Sequence, residues 1–219
     1  MAHAYPTRYR DAQGELATAL FNDGKTLSME LGGVRFEGPD FDSLTVASPE
    51  GAAVPARFTL SSCGDLCACV LELELPVTVA SPRGEEEGGL EVRLVLGAPS
   101  PNGGIDAEQL ALALRLKDRR LRSPGTSGWF EDELASLQRQ LRDGVHLKCC
   151  FGCAFSDYSP AGHALFGSLG CFRRNKAGYA AAKTKEALFA LWAADAESVQ
   201  ETDLCPEFDR RVPGTGYRG

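Results

Sequence analysis

The stretch that decides the fold class is "CACVLELELPVTV", residues 67–79. Cys67, Cys69, Leu71, Leu73, Leu75, Val77 and Val79 alternate with polar or smaller residues, among them Glu72 and Glu74. A period of two sends alternate side chains to opposite faces of a β-strand. One face of this strand therefore turns inward, and the face carrying Glu72 and Glu74 turns to water.

The same pattern extends on both sides. "GLEVRLVLG" repeats it with Leu90, Val92, Leu94 and Leu96, and "LALALRLK" with Leu110, Leu112, Leu114 and Leu116. "ASPRGEEEGG", between the first two runs, reads as an exposed, charged turn. Upstream, "ELATALFNDGKTLSMEL" places two apolar runs around Asn22, Asp23, Gly24 and Lys25. Asp-Gly supplies the positive φ angles of a tight turn, which predicts a hairpin. "GGVRFEGPDFDSLTV" adds short strand-like pieces broken by Gly and Pro. Successive antiparallel strands around one apolar face predict a β-sandwich-like part or open barrel over residues 1–122.

Near Ser123 the period changes. "WFEDELASLQRQL" sets Phe130, Leu134, Leu137 and Leu141 at helical spacing, with Glu131, Asp132 and Glu133 in the first turn. Carboxylates there favour the helix dipole, and Gly144 offers a stop. "KAGYAAAKTKEALFALWAAD" predicts a second helix, with Ala177, Ala181, Thr184, Leu188 and Leu191 on one face and Trp192 beside it. The expected architecture is α+β: the antiparallel part, then a helical, cysteine-bearing part over 123–219, packed together as one unit.

The chain has 219 residues and a net charge of −7, unevenly spread. Residues 1–109 hold 7 basic and 17 acidic side chains, and residues 110–219 hold 16 and 13. The acidic first half argues against broad nucleic-acid binding. No apolar run approaches the roughly 20 residues of a membrane span, and "MAHAYPTRYR" lacks the apolar stretch of a signal peptide. These features predict a cytoplasmic protein, in which the eight cysteines are thiols or metal ligands rather than disulfides.

The cysteines carry the most pointed chemistry. Cys150-Phe-Gly-Cys153 is a CxxC, and two thiolates at that spacing in a tight turn can share one metal ion. Zinc needs two further ligands, for which Cys171 and Cys205 are the candidates, with His163 and Cys149 in reserve. Such a structural zinc would tie the loop between the helices, the start of the second helix and the C-terminal strand into one unit. A single CxxC is a weak signal, and buried thiols packed as small apolar groups are the competing account. A thioredoxin-like redox site is disfavoured, because this CxxC follows a helix and enters a Ser/Pro/Gly loop. Cys67 and Cys69 read as core, and Cys63 lies in a turn.

Other constellations are weaker. Ser156, Asp157 and His163 lack the nucleophile elbow of a hydrolase, and Asp157 and Ser159 suit turns beside Pro160 and Gly162. Arg119, Arg120, Arg173 and Arg174 are candidates for a basic, phosphate-facing surface, without the interleaved aromatic residues of a single-strand platform. "RRVPGTGYRG" reads as a flexible basic tail that could insert into a partner or undergo carboxyl-terminal activation.

The segments "CFGCAFSDYSP", "CFRRNK" and "VQETDLCPEFDRRVPGTGYRG" resemble those of a bacterial family of uncharacterised proteins of about this size, as, more weakly, do "FEGPDFDSL" and "GWFEDEL". The resemblance implies one motif-bearing module around Cys150, Cys153, Cys171 and Cys205, with no function attached. A filled thiolate zinc site leaves no position for water. The expectation is thus a non-catalytic protein-binding or adaptor protein, with a bacterial immunity or defence partner as one form. The alternatives are a zinc enzyme with an open position and His163 or Asp157 as base, and a nucleic-acid-associated module.

Overall fold

The computed structural model describes residues 3–47, 57–162, 165–167 and 169–217. A first meander comprises β1 (His3–Asp11), β2 (Gly14–Asn22), β3 (Leu27–Leu31), β4 (Val34–Gly38) and, after a 3-10 turn at Phe41–Ser43, β5 (Thr45–Val46). A ribbon of β6 (Thr59–Leu60) and β7 (Leu66–Cys67) leads to a second meander of β8 (Cys69–Ser81), β9 (Gly84–Leu96), β10 (Glu108–Arg115) and β11 (Arg120–Arg122). Then come α1 (Phe130–Gln140), β12 (His146–Leu147), β13 (Ser156–Tyr158), β14 (Leu169–Cys171), α2 (Lys176–Ala181), α3 (Lys185–Asp195) and β15 (Glu197–Val199).

The class is α+β, dominated by antiparallel sheet. The two meanders are joined edge to edge in the order β11-β10-β9-β8-β1-β2-β3-β4-β5, and β12 also pairs with β8. The joint is β1 on β8, with Thr7 opposite Leu73 and Tyr9 opposite Leu71. β8 is long enough to take β1 near its start and β12 near its end, at Val79 and Ala80. The strands thus form one continuous hydrogen-bonded sheet instead of two separate leaves.

The alternation read from the sequence is the alternation of burial. Leu71, Leu73, Leu75, Val77 and Val79 are buried with Leu90, Val92, Leu94, Leu96, Leu110, Leu112 and Leu114. Tyr5, Tyr9, Leu20, Met29 and Phe36 continue this face across the first meander, and Phe130, Leu134 and Leu137 of α1 cover part of it. The same core includes Cys149, Leu165 and Phe166. Phe166 lies against Phe41 and Phe130, with ring centroids 5.2 and 4.8 Å away.

Three local expectations change. The charged turn "ASPRGEEEGG" shrinks to Pro82 and Arg83, because Ser81 pairs with Gly84 and the ladder continues to Pro76 opposite Gly89. Gly89 fits there because a Cβ would press on the Glu74 carboxylate and Arg115 guanidinium. Cys67 and Cys69 do not share a face of one strand. Ala68, at φ 53°, breaks the chain between β7 and β8; Cys67 Sγ then points to Thr59 O at 3.5 Å and Cys69 enters the main core. The single second helix is two, since Thr184 caps α3 by accepting Ala187 N–H at 3.2 Å. The hairpin at Asn22 is present, with Asn22 opposite Leu27 and Gly24 at φ 94°.

The uneven charge distribution is resolved on the outer sheet face. Glu72 pairs with Arg93 at 3.3 Å, Glu74 pairs with Arg115, and Glu91 pairs with Arg120. Acidic residues of β8 and β9 thereby meet basic ones of β9, β10 and β11.

Candidate metal centre

Cys150 and Cys153 bracket a 3-10 turn closed by Cys153 N–H on Cys150 O at 3.1 Å. A Cβ at Gly152 would meet Leu147 O at 3.0 Å, so glycine suits this turn. The C-terminal segment is laid against it: Cys150 N–H donates to Asp203 O at 2.6 Å, Phe151 N–H to Glu201 O at 2.9 Å, and Ala154 N–H to Asp209 O at 2.7 Å. These bonds flank Cys205 on both sides and carry it to the turn. Cys171, the last residue of β14, stands opposite Ser156 of β13, three positions after Cys153.

Folding therefore gathers the four cysteines from three separate segments. Cys150, Cys153 and Cys171 are buried and Cys205 is half-buried, all as free thiols. Cys150 feels the charges of Cys171 and Cys153, and Cys171 those of Cys153 and Cys205. Burial pushes the Cys150 thiol well above the usual thiol range, and the Asp203 carboxylate adds to this. Burial raises Cys171 too, opposed by the backbone N–H and the charge of Arg173.

Two cations face the cluster. The charge of Arg173 acts on Cys171, and that of Lys176 on Cys153 and Cys205. Each also holds a carboxylate, Arg173 Nε to Glu197 at 3.1 Å and Lys176 Nζ to Glu207 at 2.8 Å. Among the described residues, however, no group of three or more His, Cys, Asp or Glu side chains stands close enough to hold a metal ion. The thiols are gathered without being converged on one point. The donor set itself fits zinc: a tetrathiolate site is doubly negative, and Arg173 and Lys176 supply the opposite charge.

Of the reserve ligands, Cys149 faces the sheet core, where burial lifts its thiol to about 12. His163 lies outside the described residues. Asp157 is buried, with Oδ1 accepting Tyr158 N–H at 2.9 Å and Oδ2 accepting Tyr179 Oη–H at 2.8 Å. Its oxygens therefore already serve a structural network. Arg211 extends this network, donating to Tyr179 Oη at 3.1 Å and also to Ser156 O.

The tail expected to be flexible is tied down as far as Gly216. Arg211 Nη1 donates to Thr215 O at 3.0 Å, Lys183 Nζ donates to Gly214 O at 2.6 Å, and Gly216 packs against the Tyr179 ring. The basic candidates do not share one surface. Arg120 pairs with Glu91 on the sheet, whereas Arg173 and Arg174 meet Glu197 beside the thiols. Arg119 is half-buried in the turn before β11, its carbonyl accepting Leu116 N–H at 2.8 Å.

Two features have no motif in the sequence. Glu133 is buried and accepts four hydrogen bonds from residues 125–127. Asp40 and Glu201 are buried carboxyls that meet at one loop. A groove of about 710 Å³ crosses the outer sheet face, lined by Arg8, Glu72, Glu91, Arg93, Ala111 and Arg122 among others. No helix of the described residues is long and apolar enough to cross a membrane.

A protein family described as "Family of unknown function (DUF6304)" matches residues 3–156. That span covers the ten-stranded sheet, α1 and the CxxC turn, and ends at the first residue of β13. Cys150 and Cys153 fall inside it; Cys171 and Cys205 fall outside. No curated protein and no solved structure matches the chain.

Proposed function

The chain belongs to this family, whose description assigns no activity, and we propose from its own residues that it is a non-catalytic, zinc-stabilised protein-binding protein. The observation that carries the reading is the gathering of Cys150, Cys153, Cys171 and Cys205 beside Arg173 and Lys176. Four thiolates would fill the coordination sphere of zinc, leaving no position for a reactive water. The metal would supply cross-linking of the CxxC turn, β14 and the segment after β15. Arg173, whose charge already acts on Cys171, would offset the negative charge of the thiolates.

The engagement of Asp157 with Tyr158 and Tyr179 supports a structural rather than a general-base role for that carboxylate. Recognition then falls to surfaces, and the outer sheet face offers a groove of about 710 Å³ with charges of both signs. Such alternation suits a protein partner of complementary charge pattern. X-ray absorption on the purified, metal-loaded chain tests the site. Four sulfur neighbours at about 2.3 Å are expected. A sphere containing an oxygen neighbour in place of one sulfur would favour the zinc-enzyme reading instead.

A further inference from the structure

We propose that Asp40 and Glu201 form a proton-operated latch, one carboxyl from the bend after β4 and one from the C-terminal segment clamping the consecutive amides of Phe166 and Gly167. Asp40, just before the 3-10 turn that follows β4, accepts Phe166 N–H through Oδ1 at 2.8 Å, across 126 residues of chain. The same oxygen accepts Phe41 N–H at 2.6 Å. Glu201, two residues after β15, accepts Gly167 N–H through Oε2 at 2.9 Å and Tyr158 Oη–H through Oε1 at 3.4 Å. Asp40 is 6% exposed and Glu201 0%, so water cannot screen either.

The loop leaves little slack. Phe166 is seated between Phe41 and Phe130 in the sheet core. Gly167 adopts φ 95°, and a Cβ there would meet the Gln200 side chain at 2.8 Å. Opening the latch therefore unseats an aromatic ring that belongs to the sheet and loosens the segment that also holds Cys150 through Asp203 O.

Among the described residues, the charges that act on the latch are of one sign. Asp40 faces Asp42 and Glu201, Asp42 faces Asp65, and Glu201 faces Asp203 and the Tyr158 hydroxyl. Asp40 Oδ2 has no hydrogen-bond partner among the described residues, an arrangement suited to a neutral carboxylic acid. Burial, with Asp42 next, lifts Asp40 from 3.8 to about 8. Burial lifts Glu201 from 4.5 to about 7, with hydrogen bonds opposing. Two carboxyls raised in the folded state keep protons that the unfolded chain releases near pH 4. Their stabilisation is complete below about pH 4 and is lost as pH rises through about 7 to 8. The latch holds in mild acid and loosens on the alkaline side.

Hydrogen exchange on the full chain at pH 5.5, 7 and 8.5, corrected for intrinsic rates, reads the latch directly. Protection of Phe166 and Gly167 is expected to fall about tenfold or more between pH 5.5 and 8.5 relative to Leu71–Leu75 in β8, a ratio equivalent to one pKa unit. The Asp40→Asn/Glu201→Gln double variant retains hydrogen-bond acceptors and is expected to show no such fall. A flat wild-type ratio, or the same fall in the double variant, overturns the proposal. Carboxyl-carbon NMR of the wild type decides the matter if the variant does not fold. Titration of Asp40 and Glu201 between about pH 6 and 9 supports the latch, and titration near pH 4 overturns it.

Discussion

Replacing Glu133 tests how the sheet holds the helical part. This side chain is 1% exposed, in the first turn of α1, and its carboxylate accepts Gly125 N–H at 2.8 Å, Thr126 N–H at 3.1 Å, Ser127 N–H at 3.0 Å and Ser127 Oγ–H at 2.7 Å. Burial works against its ionisation, yet hydrogen bonds from Ser123, Ser127 and Gly125 hold it below the usual carboxylate range. Glu133→Ala leaves three backbone donors without their acceptor. At about 1–3 kcal/mol for each buried unsatisfied group, partly relieved by entering water, the loss is about 3–5 kcal/mol. For a domain of this size that corresponds to a Tm lower by about 6–20 °C. Glu133→Gln keeps one acceptor oxygen, loses the charge, and should cost about half as much. Thermal unfolding followed by circular dichroism at pH 7 measures both. A lowered folded-state pKa means this stabilisation is present above the free-acid value of 4.5 and lost as pH falls through the folded one. The difference between wild type and Glu133→Gln should therefore shrink in acid. An alanine variant within about 1 kcal/mol of wild type, or a Gln difference that grows in acid, would refute the reasoning.

Cys153→Ser should destabilise the C-terminal half by more than about 4 kcal/mol if it ligates metal, while exposed Cys63→Ser does little; equal melting of both variants and wild type would contradict this. Arg115→Ala should cost less than about 1 kcal/mol, because its pairs with Glu74 and Glu91 are solvent-exposed and screened; urea unfolding at low and high salt measures it.

The sheet was legible wherever its inward face is built from aliphatic residues. β8, β9 and β10 announce themselves because Leu and Val alternate with charge. β1 does not, although it joins the two meanders. Its inward face is Tyr5, Thr7 and Tyr9, amphipathic residues set between arginines and Pro6, and it is held by distant pairing with β8. The extent of the β8–β9 hairpin was hidden for a related reason: Glu85–Gly89 looks like a turn by composition, and only the partner strand makes it β. The break between α2 and α3 has a local sign in Thr184, masked by the helical spacing around it.

The CxxC turn was readable from spacing, and backbone pairing lays the segments that carry Cys171 and Cys205 beside it, although among the described residues no three ligating side chains converge. How closely the thiols converge depends on chain packing that no local pattern encodes. The carboxyls of Asp40 and Glu201 were invisible for the same reason. Their burial depends on partners 126 and 34 residues away. The docking of the tail likewise rests on Tyr179, Lys183 and Arg211 rather than on its own Gly-rich composition.

The most direct measurement is the metal content of the natively purified chain, determined together with titratable thiols in wild type and in Cys171→Ser/Cys205→Ser. The account predicts about one zinc per wild-type chain, four thiols protected from reagent until a chelator is added, and loss of both in the double variant. A metal-free wild type with Cys150, Cys153, Cys171 and Cys205 as reactive as the exposed Cys63 would contradict it.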